Sequence, residues 1–176
     1  MSVLARYLVA QDGLSDFVGR AVSWLTLVMI GALVWEIAAR YFLSAPTIWA
    51  HELSTMLYGA FCILAGSYTL RHQGHVRSEV IYGLMPPRMQ ALCNVIVFAI
   101  TLVVLWVFFQ MAFDFAATSW AAKEFSARST WQPPIYPFKA VMPLAVGLLM
   151  LQVLAELIRA AMRMFGASDE GLAPRA

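Results

Sequence analysis

Four long runs of apolar residues, separated by proline, organise the sequence. A helix needs about 20 mainly apolar residues to cross the roughly 30 Å of hydrocarbon in a bilayer. Runs of this kind occupy about 17–43, 49–71, 88–120 and 138–163. Pro46, the Pro86-Pro87 pair and the Pro133-Pro134 pair lie between them, where proline ends or prevents a helix. The pattern therefore predicts an all-α membrane protein of four transmembrane helices.

The short connections predict one four-helix membrane domain over 1–165 and allow short juxtamembrane helices at its edges. The third run is much longer than the fourth, so the two do not match as members of a compact bundle. We therefore expect an open, tilted layer of helices. The polar tail 166–176 is expected to be disordered and cytoplasmic.

Basic residues set the predicted orientation, because cytoplasmic loops carry an excess of lysine and arginine. An N-terminus inside the cell places eight basic residues in the cytoplasm: Arg6, Arg20, Arg71, Arg77, Arg88, Arg159, Arg163 and Arg175. The same orientation places four outside: Arg40, Lys123, Arg128 and Lys139. Both termini are therefore predicted in the cytoplasm. Trp49, Trp120, Trp131 and Tyr136 fall near the outer span ends, as interfacial aromatic residues do.

Composition supports the membrane class and excludes others. The 176 residues are 61% hydrophobic and 12% charged, whereas soluble domains carry about 25% charged residues. The net charge of +2 is too small for a nucleic-acid partner, which requires a concentrated basic face. Arg6, Asp12, Asp16 and Arg20 interrupt the first twenty residues, so we expect a retained N-terminus rather than a cleaved signal. Cys62 and Cys93 lie in apolar runs, and no disulfide is expected.

The charged residues near the span ends are candidates for structural pairs. Glu36 and Arg40 are four residues apart and can neutralise each other, and Glu156 has Arg159 three residues later. The alternative for Glu36 is a contact with a polar patch of a partner subunit. Glu52 begins the second span, where a carboxylate complements the positive end of the helix dipole. None of these positions resembles a proton relay, which needs ionisable groups at several depths.

The three histidines do not support a haem or metal site. His51 and His72 bracket the second span, so they are on the order of 30 Å apart and cannot share one iron. His72, His75 and Glu79 could share one side of a helix, but Gly74 and the lack of a fourth ligand favour a solvated turn. No activated nucleophile and no phosphate loop appears. The sequence predicts no enzyme and no cofactor.

Several short strings in a fixed order resemble the DctQ-type small permease subunit of tripartite ATP-independent periplasmic (TRAP) transporters. Along the chain they are Arg40-Tyr41-Phe42, Trp49, Glu52-Leu53, Gly66, Tyr68, Leu70-Arg71, Gly74-His75-Val76-Arg77, Glu79, Tyr82, Trp131, Pro134, Tyr136-Pro137, Lys139 and Pro143. The resemblance covers about 16–163. Glu79 stands where aspartate is more frequent in such subunits, and it keeps the charge.

The resemblance implies a bacterial inner-membrane protein that is a static partner of a large membrane subunit. That subunit would carry out sodium-driven uptake of organic acids, such as dicarboxylates, sugar acids or sialic acid, delivered by a periplasmic binding protein. The outer loop 123–139, with Lys123, Arg128 and Lys139, is a candidate surface for the binding protein. The competing hypothesis is a membrane anchor subunit of a respiratory or redox enzyme.

Subunit contact or anchoring in membrane lipids, rather than substrate binding, is the role expected for the residues in these strings. They are Arg40, Trp49, Glu52, Tyr68, Arg71, His75, Arg77, Trp131 and Lys139. For any single one of them, the alternative is that it only fixes a helix end at the interface.

Overall fold

A computed structural model describes residues 3–72 and 85–164. Its helices are α1 (Val3–Phe42), α2 (Ala50–Arg71), α3 (Pro87–Ala122), the short α4 (Tyr136–Lys139) and α5 (Val141–Met164). Within the described residues, α1, α2, α3 and the nearly continuous α4–α5 are the helices long and apolar enough to cross a membrane. The predicted all-α class with four transmembrane helices is confirmed.

Backbone turns with positive φ follow two of the long helices. Ser44 (φ 51°) lies just after the end of α1, and Lys123 (φ 46°) ends α3 in the left-handed conformation. The Lys123 N–H still donates to the carbonyl of Trp120 at 3.2 Å. Each turn reverses the chain within a few residues, so the following segment lies back against the helix ends.

The helices pack in the order α1, α2, α5, α3. α5 packs against both α2 and α3, while α2 packs against α1. α1 also contacts α5, whereas α1 and α3 make no contact of comparable extent. This is the open layer expected from the unequal span lengths. α5 therefore supplies much of the buried surface, and α1 and α3 present long exposed faces.

Small residues bring the helices close together. The buried apolar positions include Ala32, Ala39, Ala60 and Ala155. Small side chains allow close backbone approach, which favours helix association in lipid, where no hydrophobic effect acts between helices. Shape and polar contacts must therefore hold this layer together.

α1 is longer than the first apolar run. It begins at Val3, whereas the predicted span starts near residue 17. Its 40 residues span about 60 Å at 1.5 Å per residue. Asp12 and Asp16, which interrupt the apolar pattern, pair with arginines of other helices instead of ending the helix. The two aspartates just before the predicted span therefore form contacts between helices.

Candidate functional site

Five charged side chains from three helices meet in what we term the three-helix charge cluster: Asp12 and Asp16 of α1, Arg71 of α2, and Glu156 and Arg159 of α5. Arg159 Nη2 lies 2.7 Å from Asp12 Oδ2, and Arg159 Nη1 lies 2.5 Å from Glu156 Oε1. Arg71 pairs with Asp16 and donates from Nη1 to the backbone carbonyl of Asp12 at 2.8 Å. The cluster therefore ties α1 to both α2 and α5.

The arginines of this cluster are almost completely buried. Arg71 is 5% exposed and Arg159 is 2% exposed. Removing one partner of a buried pair leaves an uncompensated charge, which costs about 3–5 kcal/mol. The arrangement of the three helices is thereby specified by charge as well as by shape.

Amide and hydroxyl groups extend the cluster along the α1–α5 contact. Ser15 Oγ donates to Gln152 Oε1 at 2.8 Å, and Gln11 Nε2 donates to the same oxygen at 3.4 Å. Gln152 is fully buried. His72 is more exposed, and its Nε2 lies 3.2 Å from Asp16 Oδ1 at the edge of the cluster. Polar contacts thus continue from the buried centre to the surface.

Three glutamates hold the connecting segments at the end of the molecule opposite the charge cluster. We term Glu36, Glu52 and Glu124 the carboxylate staples. Glu36 accepts from the backbone N–H of Thr47 at 2.9 Å and pairs with Arg40. Glu52 accepts hydrogen bonds from the hydroxyls of Ser126 and Ser129. Glu36 thus holds the segment that follows its own helix, and Glu52 holds the loop after α3.

The third staple closes the 123–139 loop. Lys139 Nζ lies 2.5 Å from Glu124 Oε2, and Ser119 Oγ donates to the same oxygen at 2.8 Å. Lys139, followed by Ser119, holds the pKa of Glu124 below its ordinary value. The Lys139 ammonium also lies 4.2 Å from the centroid of the Phe115 ring, a cation–π contact. The Lys139 ammonium therefore already has an ion-pair partner and an aromatic partner within this chain.

The two groups of polar contacts are separated by about the thickness of a bilayer. Glu52 and Arg71 lie at opposite ends of α2, 19 residues and thus about 28 Å apart along the axis. Asp12 and Glu36 on α1 are 24 residues and about 36 Å apart. The hydrocarbon core of a bilayer is about 30 Å thick, so this separation matches the distance between the two faces of a membrane.

Comparison with known families identifies the chain. The family model described as "Tripartite ATP-independent periplasmic transporters, DctQ component" matches residues 29–163. The chain belongs to the DctQ family. Members of this family are transporter components, not enzymes. The family and the four apolar helices together make this DctQ chain a multi-pass protein of the bacterial inner membrane. The predicted family resemblance is confirmed.

Two curated proteins are similar to parts of this DctQ chain. One is the sialic acid TRAP transporter permease protein SiaT of Haemophilus influenzae, 26% identical over 96 residues, or 52% of this chain and 16% of that protein. The other is the sialic acid TRAP transporter small permease protein SiaQ of Vibrio cholerae, 23% identical over 64 residues, or 36% of this chain and 37% of that protein. The matches thus span well under half the length of these relatives.

The structure places four of the nine predicted residues of this DctQ chain in the two groups of polar contacts. Glu52 is one of the carboxylate staples, and Arg71 belongs to the charge cluster. Arg40 and Lys139 are the cationic partners of the other two staples. Tyr68 packs over Gly19 of α1, with its ring 4.3 Å from that of His72. Half-buried Trp49 and exposed Trp131 lie outside both groups of contacts, and His75 and Arg77 lie outside the described residues.

Several partners were not found by sequence reasoning. Glu36–Arg40 and Glu156–Arg159 are the local pairs that spacing predicts. Asp12, Ser126 and Ser129 were not singled out, since their partners lie on distant segments. Among residues 3–72 and 85–164, no three His, Cys, Asp or Glu side chains are grouped to hold a metal ion. His75 and Glu79 of the weighed histidine site lie outside that part of the chain.

Proposed function

We propose that this DctQ chain is the small permease subunit of a TRAP-type secondary transporter and acts as a fixed platform for the large membrane subunit. The large subunit would take up organic acids by sodium symport after delivery by a periplasmic binding protein. The three-helix charge cluster is the observation that carries this proposal. It joins α1, α2 and α5 through buried ion pairs that resist relative sliding of the helices.

Rigidity is useful for such a role, because a domain that moves substrate across a membrane needs a partner that does not move. The carboxylate staples fix the connecting segments at the opposite boundary. Interfacial aromatic residues such as Trp120, whose ring stacks edge-to-face on Tyr136 with centroids 4.9 Å apart, add anchoring in the membrane lipids. The charge cluster thus holds the helices together at one end, and the staples and aromatic residues hold them at the other.

The outer loop remains a proposed surface for the periplasmic binding protein, with a change in the residues that would contact it. Lys123 and Arg128 are exposed, whereas Lys139 is engaged by Glu124 and Phe115. Charge complementarity mainly accelerates association between proteins. Reversing Lys123 and Arg128 should therefore slow capture of the loaded binding protein, while reversing Lys139 should instead disturb the loop itself.

Reconstitution tests the platform role. Vesicles containing this chain alone should show no sodium-dependent uptake of a labelled organic acid such as sialic acid. Vesicles containing this chain and the large subunit, supplied with the binding protein, should show uptake. Sodium-driven uptake by this chain alone would contradict the proposal, as would full activity of the large subunit without it.

The competing function, an anchor for a respiratory or redox enzyme, is disfavoured by the family match. Purification from native membranes separates the two. A large polytopic membrane protein should accompany the tagged chain through detergent. Recovery of a dehydrogenase in its place would support the anchor.

A further inference from the structure

The middle of the 123–139 loop is closed by its own backbone. Phe125 and Pro134 form an antiparallel bridge, and the Ser126 N–H donates to the carbonyl of Pro133 at 2.9 Å. The bridge brings the two ends of the segment 126–133 together. We term this segment the loop tip.

A buried carboxylate of α2 holds the loop tip through two serine hydroxyls. The Ser126 and Ser129 hydroxyls donate to Glu52, one to each carboxylate oxygen. Each hydroxyl oxygen also accepts the backbone N–H of the residue two positions later. Ser126 Oγ accepts from Arg128 at 3.2 Å, and Ser129 Oγ accepts from Trp131 at 3.3 Å. Two short chains of hydrogen bonds therefore lead from Glu52 to the backbone of Arg128 and Trp131.

The charge of Glu52 suits this arrangement. An ionised carboxylate only accepts hydrogen bonds, so both serine hydroxyls donate to it and keep their oxygen lone pairs for the N–H groups. An amide offers one acceptor and one donor group, so a glutamine supports only one of the two chains in this form. Glu52 is 9% exposed and Ser126 is 5% exposed, so water competes little with these bonds. A residue of another helix thus specifies the conformation of the loop tip.

The two residues held in this way have exposed side chains. Arg128 and Trp131 are both exposed, and Phe125 beside the tip is 58% exposed. Arginine and tryptophan are enriched among the residues that dominate the binding energy of protein interfaces. A backbone fixed before binding also loses less conformational entropy on association. The loop tip is therefore a preorganised surface at the end of the molecule that the basic residues predict to lie outside the cytoplasm.

We propose that Glu52 is a positioning residue that holds Arg128 and Trp131 in the conformation that captures the periplasmic binding protein. The inference rests on the proposed function and adds to it a role for Glu52, which is buried and acts through the two serines. The partner surface offers carboxylates to Arg128 and an apolar patch to Trp131. Glu52 therefore affects capture of the binding protein rather than the later movement of substrate.

Uptake kinetics test this role in vesicles that contain this chain and the large subunit. The initial rate of uptake is measured while the concentration of loaded binding protein is varied. Glu52→Gln should raise the half-saturating concentration of binding protein by about tenfold. The maximal rate should stay close to that of the wild type, because the platform and the large subunit are unchanged. An unchanged half-saturating concentration, or a loss of maximal rate alone, would overturn the positioning role.

Glu36→Gln is the matched control. Glu36 is another staple at the same end of the molecule, but it holds the backbone N–H of Thr47 and has no contact with the loop tip among the described residues. This variant should leave the half-saturating concentration within about twofold of wild type. An equal rise in both glutamate variants would assign the effect to a general loosening of this end and contradict the proposal.

Variants within the loop keep the test valid if Glu52→Gln fails to fold. Ser126→Ala and Ser129→Ala each remove one chain of hydrogen bonds, so each should raise the half-saturating concentration by less than Glu52→Gln. Arg128→Ala should raise it in the wild-type background and have a smaller effect in the Ser126→Ala background, because the two changes disrupt one contact. Wild-type kinetics in both serine variants would contradict the proposal, as would fully additive effects of Ser126→Ala and Arg128→Ala.

The same kinetics separate the two levels of inference. If the wild-type chain with the large subunit shows no uptake that depends on the binding protein, the proposed function fails. If the wild type shows such uptake, but Glu52→Gln and the serine variants match it, the positioning role alone fails.

Discussion

Gly19 shows how a single residue determines the contact between α1 and α2. A Cβ placed there would overlap the ring of Tyr68, with Tyr68 Cβ itself at 2.9 Å. The glycine lets the tyrosine ring lie against the α1 backbone. Gly13, also on α1, has no atom within 4 Å of the corresponding position. Gly19 therefore lies in a packed contact between helices, whereas Gly13 on the same helix faces open space.

Gly19→Ala is expected to destabilise the isolated subunit by about 1–3 kcal/mol, because an added methyl in a packed contact forces a shift of the ring or helix. Gly13→Ala should be neutral or slightly stabilising, since alanine is the better helix former. Thermal unfolding in detergent measures both. Equal stability of the two variants would show that the contact yields without cost.

Within the charge cluster, replacing Arg159 should lower the free energy of unfolding the most. Arg159→Met leaves Asp12 and Glu156 without this cation, and the expected cost is about 3–5 kcal/mol. Arg40→Met is the control, because the Arg40 side chain is 59% exposed and surface pairs contribute only about 0–1 kcal/mol. Unfolding in detergent compares them. Similar losses for both variants would contradict the assigned importance of burial.

At the scale of elements, apolar periodicity and proline positions predict the helices, but not which helices touch. Glu36–Arg40 could be predicted because both residues share one helix turn. The Glu52–Ser126 contact could not, because it depends on how the loop after α3 folds back over the start of α2. Likewise, Asp12 meets Arg159 only because α1 extends past the apolar run beside α5.

The 123–139 loop should loosen in acid, because its third staple requires an ionised carboxylate. The pKa of Glu124 is lowered, chiefly by Lys139. Its contribution is therefore complete above the ordinary glutamate pKa of about 4.3 and is lost as the pH falls through the lowered value. Loop amide exchange, corrected for intrinsic rates, should accelerate below about pH 4.

Glu124→Gln provides the control for this pH effect. The variant loses the ion pair at every pH, so its loop should exchange faster than wild type at neutral pH and change less on acidification. An identical acid response in both proteins would assign the effect to another group.

At the scale of the whole molecule, the basic residues predict that both termini lie in the cytoplasm. Replacing Cys62 and Cys93 by alanine gives a background for single cysteines. Lys123→Cys should then react with a membrane-impermeant maleimide added outside spheroplasts, whereas Arg6→Cys should react only after permeabilisation. The reverse pattern would invert the orientation while leaving the helix packing unchanged.

The spacing of Glu52 and Arg71 on α2 also matches the subunit to a particular lipid chain length. Both side chains are nearly buried in fixed contacts, so neither is free to follow a thicker or thinner membrane. The longer α1 and α3 can tilt to accommodate a mismatch, but α2 has no apolar length to spare. Acyl composition should therefore affect the stability of the subunit through α2, its shortest membrane-spanning helix.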